Sequence, residues 1–359
     1  MKAATIRDVA ERAEVSVASV SRVLNGAGPV TEGTRNRVLE AAEALQYVPH
    51  SGARSLSTSK TQTIGVILPD LYGEFFSELI RGMDLAARSL GYHLIVSSSH
   101  DDAEEASAAI RSMRGRVDGL IVLSPHLDSA NLTGNLSGRL PVLLMNGGEA
   151  DSGRPSIAVD NVGGAVAAVE HLVSLGHRRI VHIGGPTGNL EARERRAGYV
   201  QSIVAAGLEP TVLNGDFTQA SGHVAMTAML RGGDRPDGLF AANDMMAIGA
   251  LLALQEAGLR CPDDVAVVGF DDVPIAALVR PGLTTLHIDI AETGRRAMER
   301  LVRLIAATSL PDAVPDTTRE TIHPRLVIRQ SCGSPRTSTL ASTQDGGASA
   351  PARLVSNGE

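Results

Sequence analysis

The sequence predicts a small all-α head joined to an α/β body made of two doubly wound parallel-sheet subdomains. Three short amphipathic helical patterns occupy residues 5–45. At Thr63 the pattern changes to short apolar runs that alternate with long amphipathic stretches. Such alternation over about 270 residues means strands joined by crossover helices, hence parallel sheets, and the length favours two of them. Between the two patterns, residues 46–62 are rich in Ser, Thr, Gly and Pro, as linkers are.

Thr5 can cap a helix running from Ile6, with Asp8 in its first turn and Val9, Ala10 and Ala13 as apolar positions. Ser16 can cap a second helix, Val17 to Asn25, with Val20, Val23 and Leu24 at helical spacing. Asn25-Gly26 ends it, and Gly28-Pro29 forbids continuation. A third should start after Thr31 and bury Val38, Ala41, Ala42 and Leu45, with Gly33 costing ~1 kcal/mol relative to alanine. Farther on, Ala53-Arg54-Ser55-Leu56 can make one helical turn. In the body, strands are expected at Thr63–Leu68, His93–Ser97, Gly119–Leu123, Val142–Met145, Arg179–Ile183, Gly238–Ala241 and Ala266–Phe270. Helices are expected at Phe75–Leu90, Ala103–Arg114, Val162–Leu175, Ala192–Ala206, Gln219–Arg231 and Met245–Ala257. From Ser334 the chain has no periodicity and reads as a disordered tail. The expected division is thus a head at 1–49, a hinge at 50–60, a body at 61–333 and a tail at 334–359.

Composition excludes several classes. Hydrophobic residues make up 43% and charged residues 20% of the 359, as in a soluble globular protein. No apolar run suits a membrane span or a signal peptide. Cys261 and Cys332 are the only cysteines, so a reducing cytoplasm is expected and a disulfide framework is not. The net charge of −7 is uneven: residues 1–60 carry 8 Lys/Arg against 6 Asp/Glu, and the rest carry 25 against 34. A slightly basic head on an acidic body suits contact of the head alone with nucleic acid.

The segment Ile6–Asn25 has helix-turn-helix spacing, which places the second helix in the major groove. Val17, Ala18, Ser21, Arg22 and Asn25 fall on or near its outward surface. Val17 and Ala18 read hydrogen-bond patterns poorly, so the pattern alone also allows an ordinary helical hairpin. His171, His177 and His182 lack the spacing of metal ligands, and Asp101 to Glu105 reads as a helix start favoured by the macrodipole. Gly184-Gly185-Pro186-Thr187-Gly188 lacks the Lys-Ser/Thr of a phosphate loop, and no nucleophile elbow occurs. No metal, cofactor or catalytic activity is expected.

The stretch Thr5-Ile6-Arg7-Asp8-Val9-Ala10 followed by Val15 to Asn25 closely resembles the headpiece of lactose/galactose-repressor-type regulators. Tyr47-Val48-Pro49 and Ala53-Arg54-Ser55-Leu56 continue the likeness in register. It runs on through Ile64-Gly65-Val66, Glu170-His171-Leu172, Ala242-Asn243-Asp244, Val268-Gly269-Phe270-Asp271-Asp272 and Leu283-Thr284-Thr285, covering roughly residues 4–330.

The resemblance implies a homodimer whose body looks like a periplasmic sugar-binding protein. It sends Val17, Ala18, Ser21 and Arg22 toward major-groove bases, with Ser16 and Asn25 holding phosphates and Thr5 in the same DNA-facing set. It makes 50–60 a hinge helix in which Leu56 wedges the minor groove and Ala53 lets paired hinges approach. It brings Asp70, Phe75, Phe76, Ser124, Asn146, Arg193, Arg195, Phe217, Asn243 and Asp271 to an effector, at the strand-end edge where doubly wound sheets bind ligands. Asn146-Gly147 stands where many relatives carry Asp-Arg. The tail has no leucine heptad, so dimers are expected not to pair through it. The function expected is a cytoplasmic, ligand-responsive DNA-binding regulator. More finely, it is a repressor of carbohydrate-utilisation genes, with operator DNA and a sugar-like effector as partners. The alternative is a solute-binding or sugar-processing protein with an accessory helical head.

Overall fold

The structure, a computed structural model, describes residues 4–25, 29–47, 60–100, 102–123, 140–146, 153–308, 310, 314 and 316–333. The expected hinge turn with Ala53 and Leu56, the tail 334–359 and Ser124 lie outside the described residues.

The head is three helices, α1 (Ile6–Arg12), α2 (Val17–Asn25) and α3 (Glu32–Ala44). A capping box starts α1: the Thr5 hydroxyl accepts from the Asp8 backbone N–H, and the Asp8 carboxylate accepts from the Thr5 N–H at 2.7 Å. Glu14, in the left-handed region at φ 52°, makes the turn into α2. The Ser16 hydroxyl accepts from the Ser19 N–H at 3.1 Å, and Thr31 caps α3. Val9, Ala10, Ala13, Val20, Val23, Val38, Ala41 and Ala42 form the head's own core, with Leu45 half-buried beside it.

The body has two parallel sheets. The first contains β1 (Thr63–Leu68), β2 (His93–Ser98), β3 (Gly119–Leu123), β4 (Val142–Met145), β5 (Ser156–Val159) and β11 (Arg319–Ile322), in the order β11-β5-β4-β3-β1-β2. The second contains β6 (Ile180–Gly184), β7 (Thr211–Asn214), β8 (Gly238–Ala241) and β9 (Ala266–Val268), in the order β7-β6-β8-β9. Helices α4 (Glu74–Ser89) and α5 (Ala103–Met113) serve the first sheet. Helices α6 (Asn161–Ser174), α7 (Leu190–Ala205), α8 (Gln219–Arg231) and α9 (Asp244–Glu256) serve the second. The chain crosses between the sheets after β5, after the short strand β10 (Thr285–His287), and between β11 and β12 (Arg325–Val327), where β10 and β12 pair antiparallel. Two strands that read as near-continuous apolar runs, β3 and β4, are wholly buried, as parallel strands covered on both faces are.

The expected helices and strands of the body form within two residues of their bounds, the largest shifts being at the end of β9 and the start of α7. Five strands were not legible: β5, β7, β10, β11 and β12 span only three or four residues each, too short to show a period. Helix α10 (Ile290–Ala307) was also missed, although it is 18 residues long. Arg295 pairs with Glu292 and Glu299 on its outer face, while Ala297, Met298, Leu301 and Ile305 are buried. It packs on α4, β3 and β4, so the C-terminal part of the chain helps build the first subdomain.

Candidate functional site: the cleft between the sheets

A cavity of about 130 Å³ lies where the C-terminal ends of both sheets meet. Pro69, Asp70, Phe75, Phe76 and Leu123 reach it from the first subdomain, and Glu191, Arg195, Phe217, Asn243 and Asp271 from the second. Leu123 ends β3 and the others come after strand ends, where loops and helices present their side chains.

Arg195 is the hub. The residue is 3% exposed, and its guanidinium carbon lies 3.8 Å over the Phe270 ring. Nε donates to Asn161 Oδ1 at 2.9 Å and Nη1 to the Ala242 carbonyl at 2.6 Å. Nη1 also stands 3.3 Å from Asp271 Oδ1, a charge contact without hydrogen-bond alignment. Asp271 itself is 5% exposed and sits in the left-handed region at φ 106°. Such a conformation in a non-glycine residue is costly and concentrates at functional sites.

Burial pushes the Asp271 carboxyl up to about 7, against the pull of Arg195 and with some help from Glu191. Nearby Asp244 is held well above the usual carboxylate range, first by burial and then by the Asp271 charge. It is structural: its oxygens accept from Thr285 Oγ1 at 2.5 Å and from the Val273 N–H at 2.9 Å. Because the folded state keeps a proton on Asp271 that the unfolded chain has released, stability falls as pH rises from about 4 to about 7 and levels off above. Relative to wild type, Asp271→Asn should therefore gain ~2–3 kcal/mol between pH 5 and pH 8, read from urea midpoints at the two pH values. Equal midpoint differences at both would remove the assignment.

The rings are held from beneath. Phe75 and Phe76 meet edge to face, with centroids 5.4 Å apart. Phe217, left-handed at φ 70°, lies over Gly185, where a Cβ would stand 2.5 Å from the ring. Asn243 Nδ2 donates to the Phe217 carbonyl at 3.0 Å, and its Oδ1 accepts from the Met246 N–H at 3.0 Å. Asn243 thus borders the cavity chiefly as a helix cap. Asp70 Oδ1 accepts from the Leu71 and Tyr72 N–H groups at 2.6 and 3.1 Å.

Two expected residues fall elsewhere. Asn146 does not border the cavity: at φ 48°, its Oδ1 accepts from the Val159 N–H at 3.2 Å and ties the end of β4 to β5. Arg193 is exposed, donates to the Gly188 carbonyl at 3.1 Å and lines a separate hollow with Arg196. Helical geometry separates it from Arg195, since residues two apart point to different sides. Conversely Glu74, Glu191, Asp216, Thr218 and Gln219 line the cavity without having been singled out. Glu191 was findable, because it stands four residues before Arg195 on one helical face. Glu74 was not: its Oε2 accepts from the Ile275 N–H, 201 residues away, at 3.0 Å.

On the head, Ser16 just before α2 and Val17, Ala18 and Arg22 on it are exposed, and Ser21 is half-buried. The Thr5 hydroxyl is engaged in the capping box. The histidines lie apart: His171 meets Cys332 at 3.2 Å, His177 lies 3.8 Å from Asp237, and His182 stacks between Tyr199 and Phe240.

Residues 5–50 match the model for bacterial regulatory proteins of the lacI family, and residues 169–332 that for a periplasmic binding protein-like domain. The HTH-type transcriptional repressor PurR of Mannheimia succiniciproducens is 34% identical over 336 residues, covering 91% of this chain and 98% of that protein. The chain belongs to the LacI family. Among solved structures of this family, the Lac repressor dimer bound to operator and an anti-inducer is 31% identical with a TM-score of 0.82, covering 92% of this chain and 99% of that one. The complex of the regulator CelR with cellobiose is 30% identical with a TM-score of 0.65, covering 91% and 99%. As a LacI-family member the protein is a DNA-binding transcriptional regulator, and its helix-turn-helix is a DNA-reading unit, not a plain hairpin. Among the described residues no helix is long and apolar enough to cross a membrane.

Proposed function

We propose that this regulator is a repressor that binds a pseudo-palindromic operator as a dimer and is switched by a small, sugar-like effector in the cleft. The observation that carries this reading is the cavity's double origin. Asp70, Phe75 and Phe76 belong to one subdomain and Arg195, Phe217 and Asp271 to the other, so a ligand there touches both. A ligand that binds two arrangements of the subdomains unequally shifts their balance, typically by 1–3 kcal/mol. Hydrogen-bonding groups between aromatic walls suit a hydroxylated ring. The operator-bound Lac repressor dimer and the cellobiose-bound CelR support the same reading by likeness.

On DNA, Val17, Ala18, Ser21 and Arg22 meet bases, Ser16 and Asn25 meet phosphates, and Leu56 opens an easily deformed central step. The test is fluorescence anisotropy on duplexes selected from a random pool. Arg22→Ala should weaken specific binding by ~1–3 kcal/mol. In the same titrations, Asp271→Ala should remove the response to a hexose or disaccharide that releases or tightens the wild type. An Asp271→Ala protein that responds at wild-type ligand concentrations would defeat the effector assignment.

A further inference from the structure

A second hollow, of about 180 Å³, shares no lining residue with the cleft. The C-terminal ends of β6 and β7 form one side of it and the start of α7 the other. Its described lining holds two cations, Arg193 and Arg196, and no carboxyl group. Residues three apart share a helix face, so both arginines serve one opening. Both are exposed, and Arg193 gives one N–H to the Gly188 carbonyl. Ala192 and Arg193 lie in the first turn of α7, where the helix dipole adds positive potential.

The inner end of the hollow has an unanswered acceptor. His182 is wholly buried, stacked between Tyr199 and Phe240, and its Nε2 has no hydrogen-bond partner. Nδ1 lies 2.9 Å from the Phe240 carbonyl oxygen, which can only accept, so the ring proton sits on Nδ1. Burial first, then the Arg196 and Arg195 charges, hold the imidazole down at about 4 against that hydrogen bond. At neutral pH the ring is uncharged and Nε2 is a bare lone pair. Gly184 lines the hollow, and a Cβ there would stand 3.6 Å from Nε2 and 3.7 Å from the Leu213 carbonyl oxygen. The space left by the missing side chain therefore runs from the hollow to that nitrogen. A hydroxyl entering it would donate to Nε2 and remove the cost of an unsatisfied buried acceptor.

We propose that this hollow binds a phosphate monoester of a short polyol, with its phosphate clamped by Arg193 and Arg196 and one hydroxyl donating to His182 Nε2. Paired guanidinium groups match the two charges and three free oxygens of a phosphate better than the single charge of a carboxylate. Arg196 stands one turn before Tyr199, on which the His182 ring stacks, so a short chain spans both groups. The site is separate from the effector cleft, and either reading can fail without the other.

Calorimetry on the intact protein tests it with glycerol 3-phosphate, inorganic phosphate, lactate and glycerol. Glycerol 3-phosphate should bind about fivefold tighter than inorganic phosphate and about tenfold tighter than lactate, with no binding of glycerol. Added salt should weaken it. Changing both exposed arginines, Arg193→Gln with Arg196→Gln, should lower the affinity about tenfold or more and leave the melting temperature unchanged. Gly184→Ala, whose Cβ makes only ordinary contacts, should fold normally and bring glycerol 3-phosphate down to the affinity of inorganic phosphate. Binding in the hollow should survive Asp271→Ala. Loss in Asp271→Ala with retention in the arginine variant would move the ligand to the cleft and overturn the site. Equal affinity of wild type for the ester and inorganic phosphate, or no binding of either, would overturn it as well.

Discussion

Arg195→Met should destabilise the protein by ~3–5 kcal/mol, the expected cost of removing one partner from a buried ion pair. The side chain links three places that are far apart in sequence: Asn161 at the first crossing between sheets, Ala242 at the end of β8, and Asp271 beyond the end of β9. Methionine keeps contact with the Phe270 ring but leaves the Ala242 carbonyl and Asn161 Oδ1 without their donor and Asp271 without its countercharge. Arg195→Lys keeps the charge and loses the fork, so it should recover only part of the loss. The diagnostic comparison is the double variant Arg195→Met/Asp271→Asn. With the orphaned carboxylate gone, its loss should be smaller than the sum of the single losses. Urea unfolding of the four proteins reads this directly. A single variant within ~1 kcal/mol of wild type would mean that the network is not what holds the cleft.

Gly82→Ala should be comparably damaging, by ~3 kcal/mol or more. At this position α4 crosses α10, and a Cβ would land on the backbone carbonyl of Ala291. Across the contact, a Cβ on Gly294 would land on the Leu79 carbonyl. Backbone atoms cannot swing aside as a flexible side chain does, so the helices must separate, and the core beneath them loses its packing. Gly33→Ala is the control: it lies in α3 with open space around it and should gain ~0.5–1 kcal/mol from helix propensity alone. Melting temperatures should move in opposite directions. A Gly82→Ala protein as stable as wild type would show that α4 and α10 do not pack this closely.

Local signals carried far in this sequence. Thr5, Ser16 and Thr31 stand immediately before helical patterns, and each caps the helix it announced. Apolar runs such as Leu120 to Leu123 and Val142 to Met145 became buried strands because nothing else satisfies so continuous an apolar stretch. Helix α10 escaped notice because its apolar stripe is diluted by Arg and Glu residues that pair on the solvent face. Within the candidate site, Arg195, Asp271, Phe75, Phe76, Phe217, Asp70 and Asn243 were legible and do border one cavity.

By itself, then, the sequence determined the helical head, its caps, the alternation that makes parallel sheets, and the family likeness carried by short runs of residues. These depend on neighbours within a few positions, where the side-chain period and capping chemistry act. Tertiary structure alone decided that Arg193 faces away while Arg195 is buried, and that Asn146 braces two strands. It also decided that Glu74 reaches Ile275 across the cleft and that Asp271 keeps a carboxylate oxygen without a donor. Those outcomes depend on which distant segments the chain crossings bring together and how much water they exclude. Burial and long-range pairing leave no local trace to read.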